Sequence, residues 1–440
     1  MTQLWAILAD SFHESVDRKS LLVLLFLAAL LIAFCFGISF ETEKPGSALE
    51  KQALSFGSFG RMRRLSFGSL FSSMDWSAGE IKPVENSEGW RPELTGGYAL
   101  TLTFKPDALD EMVRRWRPYK KERDTVKREV FKDIPPDNAP VRPGDRIAFI
   151  EGRFAQFGYS EIQTHFMNQN PPTYRVALHT AYPYELNSAS SMILLYGALK
   201  VPLWNMSVAE QVVRIELFLA NGVAGFLGVI VAVLACAGFV PSMLQKGTLD
   251  LLLARPVGRR RLLLFKYLGG LWFVLILTTV LIGGCWIAIA LRTGYSSPWF
   301  LASILTVTAI FAVVHSVAVL AGVLTRSGTI SALLAIGVWG VSSTLVFIRD
   351  GIDLLYAGQM VPAWAKSLLN VLYAIAPKTL DLASLNTYFL SHSHLSESAY
   401  QRSFAGTIPK VEWGYSIGTT AIFTAVMLGL AMWTFRRKDY

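Results

Sequence analysis

The sequence predicts an all-α polytopic membrane protein with about six transmembrane helices and a small α/β domain inserted between the first and second spans. Hydrophobic residues make up 52% of the 440 residues, and charged residues only 17%. The apolar residues are clustered into uncharged windows of about twenty residues, the length that a helix needs to cross a hydrocarbon core about 30 Å thick. The stretch between the first two windows is hydrophilic and long enough for a domain of its own.

Six windows have the length and composition of a transmembrane helix. They cover residues 21–40, 217–244, 267–291, 298–324, 328–348 and 415–435. The first window could also be a signal peptide. An uncleaved anchor is favoured because the window is twenty residues long, its amino-terminal flank is acidic as well as basic, and no clear small-x-small cleavage site follows it.

The distribution of basic residues predicts which loops face the cytoplasm, because short loops rich in Lys and Arg stay on that side. Loop 245–266 carries six basic residues against the single acid Asp250, whereas the short loop between the third and fourth windows has only Arg292. The tail after the last window is basic as well. We therefore expect a multi-pass protein of the bacterial cytoplasmic membrane with both termini in the cytoplasm and residues 41–214 and 349–414 outside.

Residues 1–20 are predicted to form an amphipathic helix at the cytoplasmic interface. Leu4, Leu8, Phe12 and Val16 recur at every fourth position, which places them on one face of a helix. This face could lie on the inner membrane surface, or it could pack on a partner protein.

The outer segment 41–214 is predicted to be an extracytoplasmic α/β domain. Alternating Leu and Thr over residues 98–104 indicates a half-buried strand, and residues 146–154 and 174–181 are two further candidate strands. Residues 107–116 are typical of a helix. The domain's fold cannot be named from these elements.

The second outer segment, 349–414, is predicted to be a loop that contains a surface helix. Residues 363–375 are apolar at helical spacing, but Lys366 and Asn370 interrupt them. A helix lying on the membrane or capping the bundle is therefore favoured over a seventh span. Residues 415–440 are predicted to be the sixth span and a basic tail.

The loop after the second window has the pattern of a short helix that projects into the cytoplasm. Residues 243–270 read MLQKGTLDLLLARPVGRRRLLLFKYLGG. Thr248 is a plausible helix cap, and Pro256 disfavours helix at the residue before it, which predicts a helix over residues 248–254. A new helix then starts at Arg259. Such a helix between two spans suits docking to a soluble protein, although an ordinary basic loop has the same composition.

This stretch resembles the signature of ABC-2 type transporter permeases, in the order GTLDLLL at 247–253, RPV at 255–257, Arg259 and KYLG at 266–269. Its place after the second span, the amphipathic first helix and the six spans match the same family. Gln245 and Lys246 depart from the pattern, since such permeases often have an acidic residue there. The resemblance implies a coupling helix that binds an ATPase, with the contact residues Gly247, Thr248, Leu249, Leu252, Arg255, Pro256, Arg259 and Lys266.

The resemblance also implies the partners. Two permease chains would pair, as a homodimer or a heterodimer, within the lipid bilayer, and each would bind an ATP-binding cassette ATPase. The sequence contains no G-x-x-x-x-G-K-[ST] loop, so ATP and Mg would be held by the partner chain, and this chain would have no cofactor and no catalytic residue. The net charge of +9 comes mostly from the short loops, so it indicates no nucleic-acid partner.

Few polar residues lie inside the windows. His315 is a candidate in-membrane polar site, for which a hydrogen bond across the bundle is the alternative to a substrate role. Glu216 is expected at headgroup depth near the outer end of the second window. All three cysteines lie inside apolar windows, and no metal site is predicted.

Two functions remain open at this stage. The first is the permease subunit of an ATP-driven exporter. The alternative is a membrane-anchored sensor or assembly module with no transport activity.

Overall fold

The computed structural model describes residues 20–42, 76–78, 82–83, 97–105, 107–114, 140–156, 159–180, 188–244, 258–355, 362–391 and 412–437. The chain divides into two compact units, which we call the helical unit and the strand unit. The helical unit comprises residues 1–39, 212–393 and 406–440, and the strand unit comprises residues 40–211 and 394–405. The predicted amphipathic helix lies outside the described residues, apart from its last position.

The chain is a polytopic membrane protein. In the described ranges, five helices are long and apolar enough to cross a membrane, or up to six if a bent pair of helices counts as one span. Keeping the order of the sequence windows, they are the second span (Val208–Met243), the third (Arg259–Thr293), the fourth (Pro298–Thr325), the fifth (Gly328–Arg349) and the sixth (Trp413–Arg437).

The first window forms a shorter helix than its apolar length predicts. The first helix is Ser20–Phe36, and the strand Ser39–Thr42 follows it. The predicted boundary at residue 40 is therefore wrong. Hydropathy alone cannot separate these last apolar residues from the helix, because their pairing with a strand far along the chain decides their conformation.

The second span begins earlier than predicted, because a capping box starts its helix at Val208. The amide of Ser207 donates to Glu210 Oε2 over 3.1 Å, and the amide of Glu210 donates to Ser207 Oγ over 3.2 Å. The helix then widens into a π-helix over Phe218–Gly228. The α-helices Val229–Cys236 and Phe239–Met243 complete the span.

The fourth span lies at the centre of the helical unit. It begins as a 3-10 helix, Pro298–Ala302, and continues as the α-helix Ser303–Thr325. In the most apolar window of this span, 67% of the window is buried inside the protein. The corresponding share is 28% for the fifth span and 11% for the sixth. The fifth and sixth spans therefore present most of their apolar surface to the surroundings.

The segment between the fifth and sixth spans contains two helices. A helix is present where it was predicted, at Ala363–Ile375, and a second helix that was not predicted, Thr379–Ser391, follows it at a bend of 79°. Trp364, Leu368 and Ile375 are exposed along one face of the first of these helices. We call the two helices the bent pair.

The strand unit contains two sheets, the larger of which is antiparallel. The larger sheet has the order β2-β4-β6-β5, with β3 also paired to β4, and the smaller has the order β1-β7-β8. Their strands are β1 (Ser39–Thr42), β2 (Trp76–Ala78), β3 (Lys82–Pro83), β4 (Gly97–Phe104), β5 (Tyr159–Gln169), β6 (Pro172–Thr180), β7 (Ser188–Leu194) and β8 (Leu199–Ser207).

Two of the predicted strands are confirmed, and one is wrong. β4 has the predicted alternation of buried and half-buried residues, and β6 covers most of residues 174–181. Residues 146–154 lie instead in the helix Pro143–Gln156. Its helical character follows from a Pro at the first position, Asp145 in the first turn, and Phe149, Ile150 and Phe154 buried on one face. Residues 108–114, within the predicted helix 107–116, are helical.

Polar contacts join neighbouring elements of the strand unit. Arg146 binds Asp110 through two hydrogen bonds of 2.6 and 2.8 Å, which raise the pKa of the guanidinium. In the smaller sheet, Glu41 on β1 binds Lys200 over 2.5 Å and accepts a hydrogen bond of 2.7 Å from Ser191. These contacts lower the pKa of Glu41, and the contact with Lys200 has the largest effect.

Candidate functional site: the loop end of the helical unit

The loop predicted to bind an ATPase joins the second and third spans. Residues 245–257 lie outside the described residues, and with them Gly247, Thr248, Leu249, Leu252, Arg255 and Pro256. The structure describes both ends of the loop, Leu244 and Gly258, and the helices from which they extend. We call this end of the helical unit the loop end.

The second span reaches the loop end through closely packed backbone. A Cβ on Gly328 would lie 3.2 Å from Gly238 Cα, and a Cβ on Gly322 would lie 3.2 Å from Pro241 Cδ. Side chains at Gly238 or Gly328 would separate the second and fifth spans. The small residues therefore hold the end of the second span directly against its neighbours.

The third span begins immediately after the loop, as predicted. Gly258 has extended backbone (ψ 141°), and its carbonyl accepts the amide of Leu262 over 3.1 Å, which closes the first helical turn at Arg259. Arg260 and Arg261 are exposed, whereas Lys266 is only 3% exposed. Of the two predicted contact residues that the structure describes, Arg259 lies at the helix start beside the loop, and Lys266 points into the protein.

A single apolar core lies beneath both ends of the loop. It brings together buried side chains of the second, third, fourth and sixth spans, namely Val240, Met243, Leu244, Leu262, Leu263, Tyr267, Val319, Val323, Ala431 and Phe435. The two residues nearest the loop, Leu244 and Leu262, are 6% and 1% exposed. Because protein interiors are close-packed, displacement of either loop end is transmitted to all four spans.

His315 lies deeper in the same end of the helical unit and is 1% exposed. Its ring is stacked between Tyr267 (centroids 5.5 Å apart) and Phe311 (5.0 Å), and a Cβ on Gly270 would lie 2.5 Å from Nε2. Among the described residues neither ring nitrogen has a hydrogen-bond partner. The expected hydrogen bond across the bundle is therefore not found, and aromatic stacking holds the ring instead.

A second polar group lies toward the other end of the helical unit. Asn386 of the bent pair donates to Asn221 Oδ1 over 2.9 Å and accepts a short hydrogen bond from Thr306. The three side chains thus join the π-helix of the second span, the fourth span and the bent pair. Sequence reasoning missed Asn386 and Thr306, because single polar residues in apolar helices give no signal of their partners.

Glu216, which is expected at headgroup depth, is fully buried within the protein. Its Oε1 accepts the amide of Ser297 over 3.2 Å, and its Oε2 has no hydrogen-bond partner among the described residues. The partner is contributed by the turn before the fourth span, 81 positions further along the chain. Distance from the end of the apolar window could not reveal that contact.

The bend in the bent pair is held by charged and aromatic groups. Lys378 Nζ lies 4.6 Å from the ring centre of Tyr373 and 4.4 Å from that of Tyr415, and it donates to Thr419 Oγ1 over 2.9 Å. Asp381 accepts hydrogen bonds from Tyr373 (2.8 Å) and from Ser416 of the sixth span (2.5 Å). The bend is therefore tied to the sixth span by groups that are satisfied within the protein.

Metal binding has no support in the part of the chain that the structure describes. No three His, Cys, Asp or Glu side chains there converge as a metal site would require. The loop end has an exposed basic helix start above an apolar core.

The family comparison covers almost the whole chain. A family model described as "ABC-2 family transporter protein" matches residues 5–440. The match includes the strand unit as well as the helices. No curated protein matches the chain.

Proposed function

The chain belongs to the ABC-2 transporter family, and from this premise we propose that it is the permease subunit of an ATP-driven exporter whose ATPase is a separate chain. The family accounts for a polytopic membrane protein that takes part in transport. The proposal has four further parts. They are export as the direction of transport, an ATPase partner, pairing with a second permease chain, and a place in the bacterial cytoplasmic membrane with both termini inside.

The observation that carries the proposal is the loop between the second and third spans. Its sequence has the family signature at 247–269, and its two ends begin in one core that joins four spans. A loop seated in this way can transmit a push from a bound protein, whereas a loop on loosely packed helices would absorb it by local movement.

We propose that residues 248–255 form the coupling helix and that Arg259, at the start of the third span, contributes to the same contact. Arg260 and Arg261 extend the basic surface at this end. When ATP binding brings two ATPase subunits together, the contact would move both loop ends at once. The second and third spans would then tilt with the fourth and sixth, because the four share the core. ATP and Mg act in the partner, and this chain supplies the pathway.

The docking proposal is tested by changing Leu252 and Pro256 together, to Asp and Gly, in the full-length chain. Affinity purification should then recover the permease with the ATPase much reduced. Arg292→Ala is the control, since Arg292 is an exposed residue at the end of the third span that lies away from the loop. Equal recovery of the ATPase with both variants would contradict the docking proposal.

Transport itself needs a separate measurement. Inside-out membrane vesicles that contain both chains should accumulate substrate only when ATP is supplied. If the ATPase binds but no ATP-dependent flux of any candidate substrate is found, the sensor or assembly role becomes the better explanation.

A further inference from the structure

The first helix and the third span are in close contact where Gly284 faces Ile32. A Cβ built on Gly284 would lie 2.8 Å from Ile32 Cγ1, well inside van der Waals contact. The absence of a side chain at Gly284 therefore lets the two helices approach closely. This approach brings two residues together. One follows Gly284 on the third span, and the other lies one turn beyond Ile32 on the first helix.

Those residues are cysteines. Cys35 Sγ and Cys285 Sγ lie 3.6 Å apart, and each residue is 1% exposed. Both are free thiols, as is Cys236, which is buried in the second span. Two thiols in contact between two helices differ in reactivity from a single buried cysteine, because the sulfur of each can react with the sulfur of the other.

We propose that Cys35 and Cys285 are a modification site: a pair of thiols that oxidises to a disulfide and ties the first helix to the third span. A disulfide has an S–S distance of about 2.05 Å, so the two sulfur atoms must approach by about 1.5 Å. Rotation of the two side chains can supply most of this movement, because the helices are already in contact. The proposal does not depend on the transport function.

The reaction needs an oxidant that can enter an apolar site. Diamide, a small uncharged azo compound, supplies the oxidising group as its N=N bond. One cysteine sulfur adds to a nitrogen of this bond while the other nitrogen takes up a proton. The second sulfur then attacks the first, the S–N bond breaks, and the nitrogen leaves with the second proton. Two thiols lose two protons and two electrons, and the azo group becomes a hydrazine.

Burial determines the rate of this reaction. The reagent must reach two side chains that are each only 1% exposed. The first step should therefore be slower than for an exposed thiol. The second step should be fast, because the second sulfur is already in contact with the first.

The bond would join residues 250 positions apart. The covalent loop that it closes contains the whole strand unit up to residue 211 and the second span. Separation of the first helix from the third span would then require reduction of the bond.

The test uses the full-length protein in membrane vesicles, in a Cys236→Ser background that keeps only the proposed pair. Vesicles are treated with diamide, remaining thiols are blocked with N-ethylmaleimide, and the digested protein is analysed by mass spectrometry. We expect a peptide pair joined through Cys35 and Cys285 within one chain, which disappears after treatment with dithiothreitol. The further changes Cys35→Ala and Cys285→Ala should each abolish it.

Two results would overturn the proposal. One is that both thiols remain free to N-ethylmaleimide after diamide treatment and denaturation. The other is that the only disulfides found join two different chains. Size-exclusion chromatography of each variant shows whether it is folded, and the Cys236→Ser protein without diamide gives the reduced reference.

Discussion

At the scale of single residues, several buried polar groups of the helical unit are held by partners that lie far away in the sequence. The His315 ring stacks on Phe311, one turn before it on the same helix, and on Tyr267 of the third span, and its edge faces Gly270. The sequence could indicate Phe311, because it lies at helical spacing from His315. It could not indicate Tyr267 or Gly270, since the spacing along one helix says nothing about the helix opposite.

This arrangement predicts that Gly270→Ala is destabilising. The new methyl group would lie 2.5 Å from His315 Nε2, and the ring cannot move away because aromatic rings stack on it. Overpacking of this kind costs about 1–3 kcal/mol. The midpoint of thermal unfolding can be followed with a thiol-reactive dye in detergent, because all three cysteines are buried in the folded protein.

A double-mutant cycle separates this clash from a general effect of the alanine. Adding Gly270→Ala to His315→Ala should cost much less than adding it to the native chain, since the space left by the ring accepts the methyl group. Equal costs in the two backgrounds would mean that the ring and the glycine do not oppose each other.

At the scale of elements, sequence patterns predict a helix or strand well when the spacing of apolar residues along that element alone determines which of them are buried. β4 alternates buried Leu with half-buried Thr, and the long spans have uncharged windows, so both are recognised. The helix Pro143–Gln156 was mistaken for a strand because several of its apolar residues fall at alternate positions. The second helix of the bent pair was missed because its apolar side chains are interspersed with polar ones that bind neighbouring elements.

The bent pair depends on those polar contacts, which predicts a cost for Asn386→Ala. The change leaves Asn221 and Thr306 without their partner in an apolar setting. Interhelical hydrogen bonds in membrane proteins contribute about 1–2 kcal/mol in model peptides, and about 0.6 on average in double-mutant cycles. We expect a lower unfolding midpoint by the same thiol-dye measurement.

Asn370→Ala is the matched control, because Asn370 belongs to the other helix of the bent pair and is exposed. Its midpoint should stay close to that of the native chain, as is usual for surface substitutions. If the two alanine variants unfold at the same temperature, the contact between Asn386 and its neighbours contributes nothing measurable.

At the scale of the whole molecule, chain connectivity fixes more of the topology than charge does. The third span leads away from the loop that begins after Leu244, so its end at Thr293 lies opposite the loop in any membrane that this span crosses. The third and fourth spans return the chain to the loop side at Arg326, and the fifth leaves it again. The position of the C-terminal tail then depends on whether the bent pair crosses the membrane or enters and leaves it at one side.

Contacts at the bend and at the far end of the bent pair place both on one side. At the bend, the Tyr373 ring lies 4.0 Å from the guanidinium of Arg349, where the fifth span ends. Near its close, Phe389 stacks on Trp299, where the fourth span begins, with centroids 5.7 Å apart. Both of these span ends lie opposite the loop end. The second helix of the pair would therefore not cross, and the sixth span would bring the C-terminal tail to the loop side.

Cysteine labelling tests this topology, because the three native thiols are buried and should not react with a charged maleimide that cannot cross the membrane. We expect Tyr440→Cys to be labelled from the same side as Ser327→Cys, in the turn between the fourth and fifth spans. Arg292→Cys, at the far end of the third span, should be labelled only from the other side. Labelling of Tyr440→Cys together with Arg292→Cys would instead make the bent pair an additional crossing, and would place the tail away from the proposed ATPase.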